Sequence, residues 1–346
     1  MFGTNDYGGT TLDPMLIRWS DQENPYEWTP DATNQAGSIR LSIGSSIITA
    51  RQTRQEILVW TDAALYSLQY LGPPFVWGAQ TVGENISLMS PNATATANNI
   101  TYWMGTDKFY KYDGRVQTLR CDLRQFIFQN SDPTLTLDRA QNQQVFASTV
   151  EAFNEVWWFY CSSGETAPNR YVVYNYVEDA WYYGTMGRTA WLDSGLNAVP
   201  IAATNNSILT SQETGVDDGE TGTLAPIEAY ITSSEFDIDD GHNFGFVWRL
   251  LPDLTFRGST SDAPVANFSL LPMQNAGSGY NSPASVGGSN NANVSRIATV
   301  PIEQFTGQIN TRVRGRQLAM KIESTALGTT WQLGAPRIDI RPDGRR

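Results

Sequence analysis

The stretch EVWWFYCSSGETAPNRYVVYNY (155–176) decides the fold class. It holds two strand-sized runs of β-branched and aromatic residues joined by a segment rich in Ser, Gly, Pro and Asn. In Val156-Trp157-Trp158-Phe159-Tyr160 the aromatics point alternately to the two faces of the strand, which is how core and sheet-to-sheet packing looks. Outward from it, a strand that ends in an acidic turn and leads into a Tyr-rich strand recurs. The copies are ILVWTDAALYSLQY (57–70), TYWMGTDKFYKYDG (101–114) and, more weakly, AATNNSILTSQETG (202–215). Aligning Tyr66, Tyr110, Tyr174 and Leu209 separates the copies by 44, 64 and 35 residues.

A four-stranded propeller blade takes roughly 40 to 50 residues, so the repeat favours a β-propeller over a two-sheet sandwich or a set of stacked hairpins. The long middle interval is attributed to a helical insertion within Asp132–Thr149, with Asp132 as cap and Pro133 at the first helical position. Residues 1–222 then supply about four or five blades, the low limit for closure, so the ring is either small or incomplete in this chain. Asp217 to Gly222 reads as a linker, and 223–346 as a smaller β-sandwich domain with a Gly/Ser/Asn-rich loop at 275–295. The expected fold is all-β, a propeller followed by a sandwich.

The chain has 346 residues and a formal charge of −12, but only 17% of it is charged, against roughly 25% in an average globular protein. That charge is divided unevenly. Residues 312–346 hold eight Lys or Arg against three acids, a balance of +5, which leaves −17 on residues 1–311. No run approaches the roughly 18 apolar residues of a membrane span, and the N-terminus has no secretory pattern. The chain is therefore expected to be soluble and made in a cytoplasm. Chance in an Asn- and Thr-rich chain accounts for N-x-S/T triplets at Asn85, Asn92, Asn99, Asn205, Asn267 and Asn293.

Chemistry is poorly supported. With a single His (His242) and two Cys (Cys121 and Cys161), zinc spacing is absent, and no G-x-S-x-G elbow accompanies His242. The cysteines are expected as two free thiols. Asp237, Asp239 and Asp240 before Gly241 lack the spacing and closing Glu of a calcium loop and read as a solvated turn. No phosphate loop is present, and no cofactor is expected. A carboxylate pair for glycoside hydrolysis needs only proximity in space, so the sequence leaves it open. The remaining candidate is basic. Arg312, Arg314 and Arg316 alternate along one strand and should share a face, with Lys321, Arg337, Arg341, Arg345 and Arg346 nearby in sequence. Such a row suits contact with an acidic partner surface, although a solvated strand face balanced by neighbouring acids explains it equally well.

Several runs carry a family resemblance: GTNDYGGTTLDPMLIRWSDQENPYEWTP (3–30), EILVWTDAALYSLQYLGPPFVWG (56–78), ITYWMGTDKFYKYDGRVQTLRCDLRQFIF (100–128), FNEVWWFYCSS (153–163), AWYYGTMGRTAWLDSG (180–195) and the ending RVRGRQLAMKIES…WQLGAPRIDIRPDGRR. The chain resembles the tail nozzle, or tail tubular, proteins of short-tailed bacteriophages, also described as packaged-DNA stabilisation proteins. That resemblance implies a virion protein without enzymatic activity, present as a homo-oligomer of six around the DNA exit channel. Its neighbours would be adaptor or portal-side rings and tail fibre or tip proteins, and genomic DNA would pass the lumen without sequence-specific binding. Longer relatives suggest a segment ahead of GTNDYGG. The alternative is a carbohydrate-binding or glycan-cleaving propeller used in host attachment.

Overall fold

The computed structural model describes residues 1–194, 198–238, 241–275 and 297–345, and the chain forms two compact units, 1–213 and 214–346. Unit 1 is a succession of small antiparallel sheets whose strands follow chain order. The first contains β1 (Phe2–Asn5), β2 (Leu12–Trp19) and β3 (Gly37–Arg40). The second contains β4 (Ile47–Gln52), β5 (Ile57–Thr61), β6 (Ala64–Gly72) and β7 (Val76–Glu84). The third contains β8 (Thr94–Ala97), β9 (Ile100–Met104), β10 (Phe109–Tyr112) and β11 (Val116–Leu119). The fourth contains β12 (Phe146–Val150), β13 (Glu155–Tyr160), β14 (Arg170–Asn175) and β15 (Ala180–Thr185), and the fifth β16 (Ala190–Leu192), β17 (Ile201–Ala203) and β18 (Leu209–Ser211).

The sequence repeat has a structural counterpart. Tyr66, Tyr110, Tyr174 and Leu209 lie in β6, β10, β14 and β18, the third strand of four successive sheets. Trp60, Trp103 and Trp158 occupy the second strands of three of them and are fully buried. Turn chemistry sets the hairpins. Between Ala97 and Ile100 the two loop residues Asn98 and Asn99 both have positive φ (47° and 63°), as a two-residue primed turn requires.

Alternation of side chains then buries both faces of the central sheets. Leu58, Trp60 and Leu65 join the core of the third sheet, whereas Val59, Tyr66 and Leu68 pack with Met15, Ile17 and Leu41 on the other side. In the fourth sheet Val156, Trp158 and Tyr160 face the third-sheet core, while Val150, Trp157 and Phe159 pack against Trp191 of the fifth. Ring contacts stitch the sheets together, with Trp60 edge-on to Trp103 at 5.4 Å and Phe109 against Trp158 at 5.0 Å. Both cysteines are free, and burial pushes the thiols up, Cys121 to about 12 and Cys161 to about 11.

Two expectations are corrected. The helical insertion before the fourth sheet is α1 (Arg124–Phe128) followed by a 3₁₀ turn (Arg139–Gln144), not a helix capped by Asp132. Asp138 is the residue that caps, accepting from the Ala140 amide at 2.9 Å, while Asp132 caps only the turn at Thr134. Moreover, the units divide at residue 213, ahead of the expected break after 222. The expected linker is structured: β19 (Asp217–Asp218) pairs with β20 (Ala225–Pro226), and the Gly328 amide donates to Asp217 at 2.7 Å, tying the hairpin to unit 2.

Unit 2 continues with β21 (Ala229–Thr232), β22 (Phe236–Asp237), β23 (Gly245–Leu251), β24 (Leu254–Thr255), β25 (Val265–Met273), β26 (Ala298–Glu303), β27 (Ile309–Gly315), β28 (Gln317–Ser324), β29 (Gln332–Leu333) and β30 (Arg337–Pro342). One sheet runs β21-β28-β25-β26 with β22 also on β28, a second runs β27-β23-β30, and β24 pairs with β29. The two larger sheets share a core in which Val247, Leu250 and Val313 meet Ala266, Phe268, Leu270 and Ile322. Residues 276–295 of the expected loop, Asp239, Asp240 and Arg346 lie outside the described residues.

Candidate partner-binding surface

The three-stranded sheet β27-β23-β30 presents two unlike faces. Val247, Leu250 and Val313 point into the shared core with Ile338 and Ile340 packed behind them. The intervening positions face away from that core: Phe246 and Trp248 on β23, Arg312 and Arg314 on β27, Arg337, Asp339 and Arg341 on β30. Register places Phe246 between Arg314 and Arg341. A register shift between Val247 and Arg249 brings Trp248 and Arg249 out together, both exposed.

Guanidinium groups lie over the aromatic rings of β23 and of Phe244 just before it. Arg314 and Arg316 sit 4.1 and 5.0 Å from the Phe244 ring centre, and Arg341 sits 5.0 Å from Phe246 and 5.7 Å from Trp248. Two arginines are also paired with acids: Arg314 with Asp343 at 2.6 Å, and Arg249 with Asp339. Among the described residues no ion pair holds Arg312, Arg337 or Arg341. Exposed ion pairs contribute only about 0 to 1 kcal/mol and exposed cation–π contacts about 0.5 to 1, so the array adds little to folding. It holds guanidinium groups against aromatic rings at a surface, an arrangement suited to bidentate grip on carboxylates.

Of the expected contact residues, the structure brings Arg312, Arg314, Arg337 and Arg341 onto one sheet face. Arg316 follows the end of β27 and so does not continue the row; it folds back to Phe244 and donates to the Arg345 carbonyl at 3.3 Å. Lys321 belongs to β28 in the other large sheet, paired with Glu323 and 5.4 Å from the Tyr230 ring. Arg346 lies outside the described residues. Sequence reading missed Arg249 and the aromatics of Phe244-Gly245-Phe246-Val247-Trp248. Their period of two was visible, but a face covered by arginines cannot be told in sequence from one covered by another sheet.

Several carboxylates elsewhere, among them Glu155, Glu56, Asp62 and Asp107, are engaged in hydrogen bonds or ion pairs within unit 1. Glu155 accepts from Trp157 Nε1 at 2.8 Å and from the Tyr182 hydroxyl, and burial followed by that carboxylate raises the Tyr182 phenol. Burial and the nearby Glu155 charge raise Glu213. At Glu56 burial acts upward, but hydrogen bonds from Ser67, Tyr112 and Gln69 outweigh it and leave the carboxyl below its ordinary value. The Tyr112 bond, 2.5 Å long, joins the third sheet to the second. A cavity of about 400 Å³ beside Asp62 and Asp107 has its acids committed, Asp62 to the Ser45 amide at 2.7 Å and Asp107 to Arg124 at 3.1 Å. Among the described residues no three His, Cys, Asp or Glu side chains gather as metal ligands, and no helix is long and apolar enough to cross a membrane.

No family model matches the sequence, and neither does any curated protein. Among solved structures, the chain is similar to an exo-β-1,3-galactanase from Phanerochaete chrysosporium with galactose: TM-score 0.18, 10% identity, 93% of this chain and 100% of that one. A variant of that enzyme with β-1,3-galactotriose gives a TM-score of 0.17 and 11% identity over 94% of this chain and 100% of that one. Likeness of that degree carries no argument about substrate or reaction.

Proposed function

We propose that the chain is a structural protein of the tail of a short-tailed bacteriophage, one subunit of a ring of about six that retains packaged DNA and lets it leave. In this reading the five successive sheets of unit 1 are blades of a small or incomplete propeller. The acidic part of the chain faces the DNA path, because Asp and Glu repel phosphate and release no counterions to it. The cationic sheet face of unit 2 grips an acidic surface of the neighbouring subunit or of an adaptor ring. No catalytic step is assigned to the chain.

The observation that carries this reading is the array on β27-β23-β30, where Arg312, Arg337 and Arg341 are exposed without an acidic partner among the described residues, on a face whose contribution to folding is small. Purified protein should form a ring in negative-stain images. An Arg312→Ala, Arg337→Ala, Arg341→Ala variant should keep the thermal midpoint of the parent and lose the ring. Intact rings from that variant would overturn the assignment of the face. A monomeric parent that binds or cleaves host polysaccharide would overturn the structural role itself.

A further inference from the structure

The β6–β7 hairpin outgrows its sheet. β5 pairs with β6 only from Leu65 to Leu68. Gln69 still donates to Glu56 at 3.2 Å and Trp77 still packs on the core of Val59, Tyr66 and Leu68, but beyond them Tyr70–Gly72 pair only with the returning strand, through Tyr70 opposite Trp77 and Gly72 opposite Val76. The result is a two-stranded ribbon extending about 10 Å beyond the sheet, the three residues Tyr70–Gly72 at about 3.3 Å each. Its end is apolar and exposed: Tyr70 is 54% exposed, Leu71 60% and Phe75 74%, with Pro73 and Pro74 exposed between them. The Tyr70 and Trp77 rings meet edge-on at 5.5 Å, which stiffens the ribbon. Across Ala63–Gly83 there is no Asp, Glu, Lys, Arg or His, in a chain of net charge −12.

We propose that this ribbon is an interfacial lipid anchor, which seats Tyr70, Leu71, Pro73, Pro74 and Phe75 in the headgroup boundary of an uncharged bilayer. Three features favour lipid over a protein groove. The tip carries no charge to desolvate. Its two prolines have no N–H, and the Trp77 amide is satisfied by the Phe75 carbonyl at 2.6 Å, so entering an apolar layer strands few donors. The reach of the ribbon matches the roughly 5 to 10 Å depth of interfacial insertion, which lets the acidic body stay in water. A body of net charge −12 is repelled by anionic surfaces, so the neutral ribbon suits a zwitterionic bilayer. None of this depends on the phage reading.

The test is sedimentation of the full chain with phosphatidylcholine vesicles. The parent should co-sediment, and a Leu71→Asp, Phe75→Asp variant with an unchanged thermal midpoint should bind at least about tenfold more weakly. Adding phosphatidylserine should weaken binding at low salt, and salt should restore it. Three results would overturn the proposal: no binding by the parent, unchanged binding by the double variant, or binding that rises with phosphatidylserine and vanishes in the Arg312, Arg337, Arg341 triple alanine variant. A double variant that changes oligomeric state while neither protein binds vesicles would mark the ribbon as a self-association surface instead.

Discussion

β13 and β23 are both aromatic strands, with four aromatics in a row in the first (Trp157–Tyr160) and two at alternate positions in the second (Phe246 and Trp248), and they meet opposite fates. In β13 the neighbouring sheets cover both sides, so Trp158 and Phe159 are fully buried and Trp157 nearly so. In β23 one side enters the core, and on the other the aromatics meet guanidinium groups and solvent, leaving Trp248 40% exposed. A period of two sets which residues share a face; the identity of what lies against that face is tertiary information. Aromatics therefore serve as filling in unit 1 and as a platform for charge in unit 2.

The contrast can be broken by truncation. Trp158→Ala should cost about 3 to 5 kcal/mol in denaturant melts, because the hole opens where the third and fourth sheets share a core. The same change at Trp248 should cost under about 1 kcal/mol, since its ring already touches water. Equal losses at the two sites would erase the distinction.

A finer test lies among the buried tryptophans. Trp158 Nε1 donates to the Ala93 carbonyl at 3.1 Å, whereas Trp60 Nε1 and Trp103 Nε1 are buried without a partner among the described residues. Replacing Trp158 by Phe should therefore cost about 1 kcal/mol more than replacing Trp103 by Phe, because only the first loses a hydrogen bond. The ordering, read from denaturation midpoints, is the informative result.

Acid should act on unit 1 through Glu56, whose folded carboxyl titrates below its ordinary 4.5. A depressed acid contributes stability above its unfolded pKa and loses it as pH falls through the folded one. Thermal midpoints should thus decline below about pH 4.5, and Glu56→Gln should have a lower midpoint at pH 7 with a shallower acid decline. Parallel pH profiles for parent and variant would remove Glu56 from the account.

Much of unit 1 was legible because each sheet is local. Tyr66, Tyr110, Tyr174 and Leu209 aligned in sequence because each occupies the third strand of a meander whose strands follow chain order. Unit 2 was less legible because its sheets are assembled from distant strands: β23 pairs with β27 and β30, so Phe246 meets Arg314 and Arg341 only after folding. The arginine row was half readable. Alternation placed Arg312 and Arg314 together, but the strand ends at Gly315 and Arg316 turns away. Boundaries suffered likewise, since Asp217 looks like linker until Gly328 is brought to it.

The central claim is that this chain is a ring subunit held by the cationic face of unit 2. Its most direct test is the mass of the purified protein by multi-angle light scattering, at low and high salt. The account expects a particle of about six times the 38.3 kDa chain that falls apart as salt rises, because charge holds it. A particle of a single chain's mass at every salt concentration would contradict it.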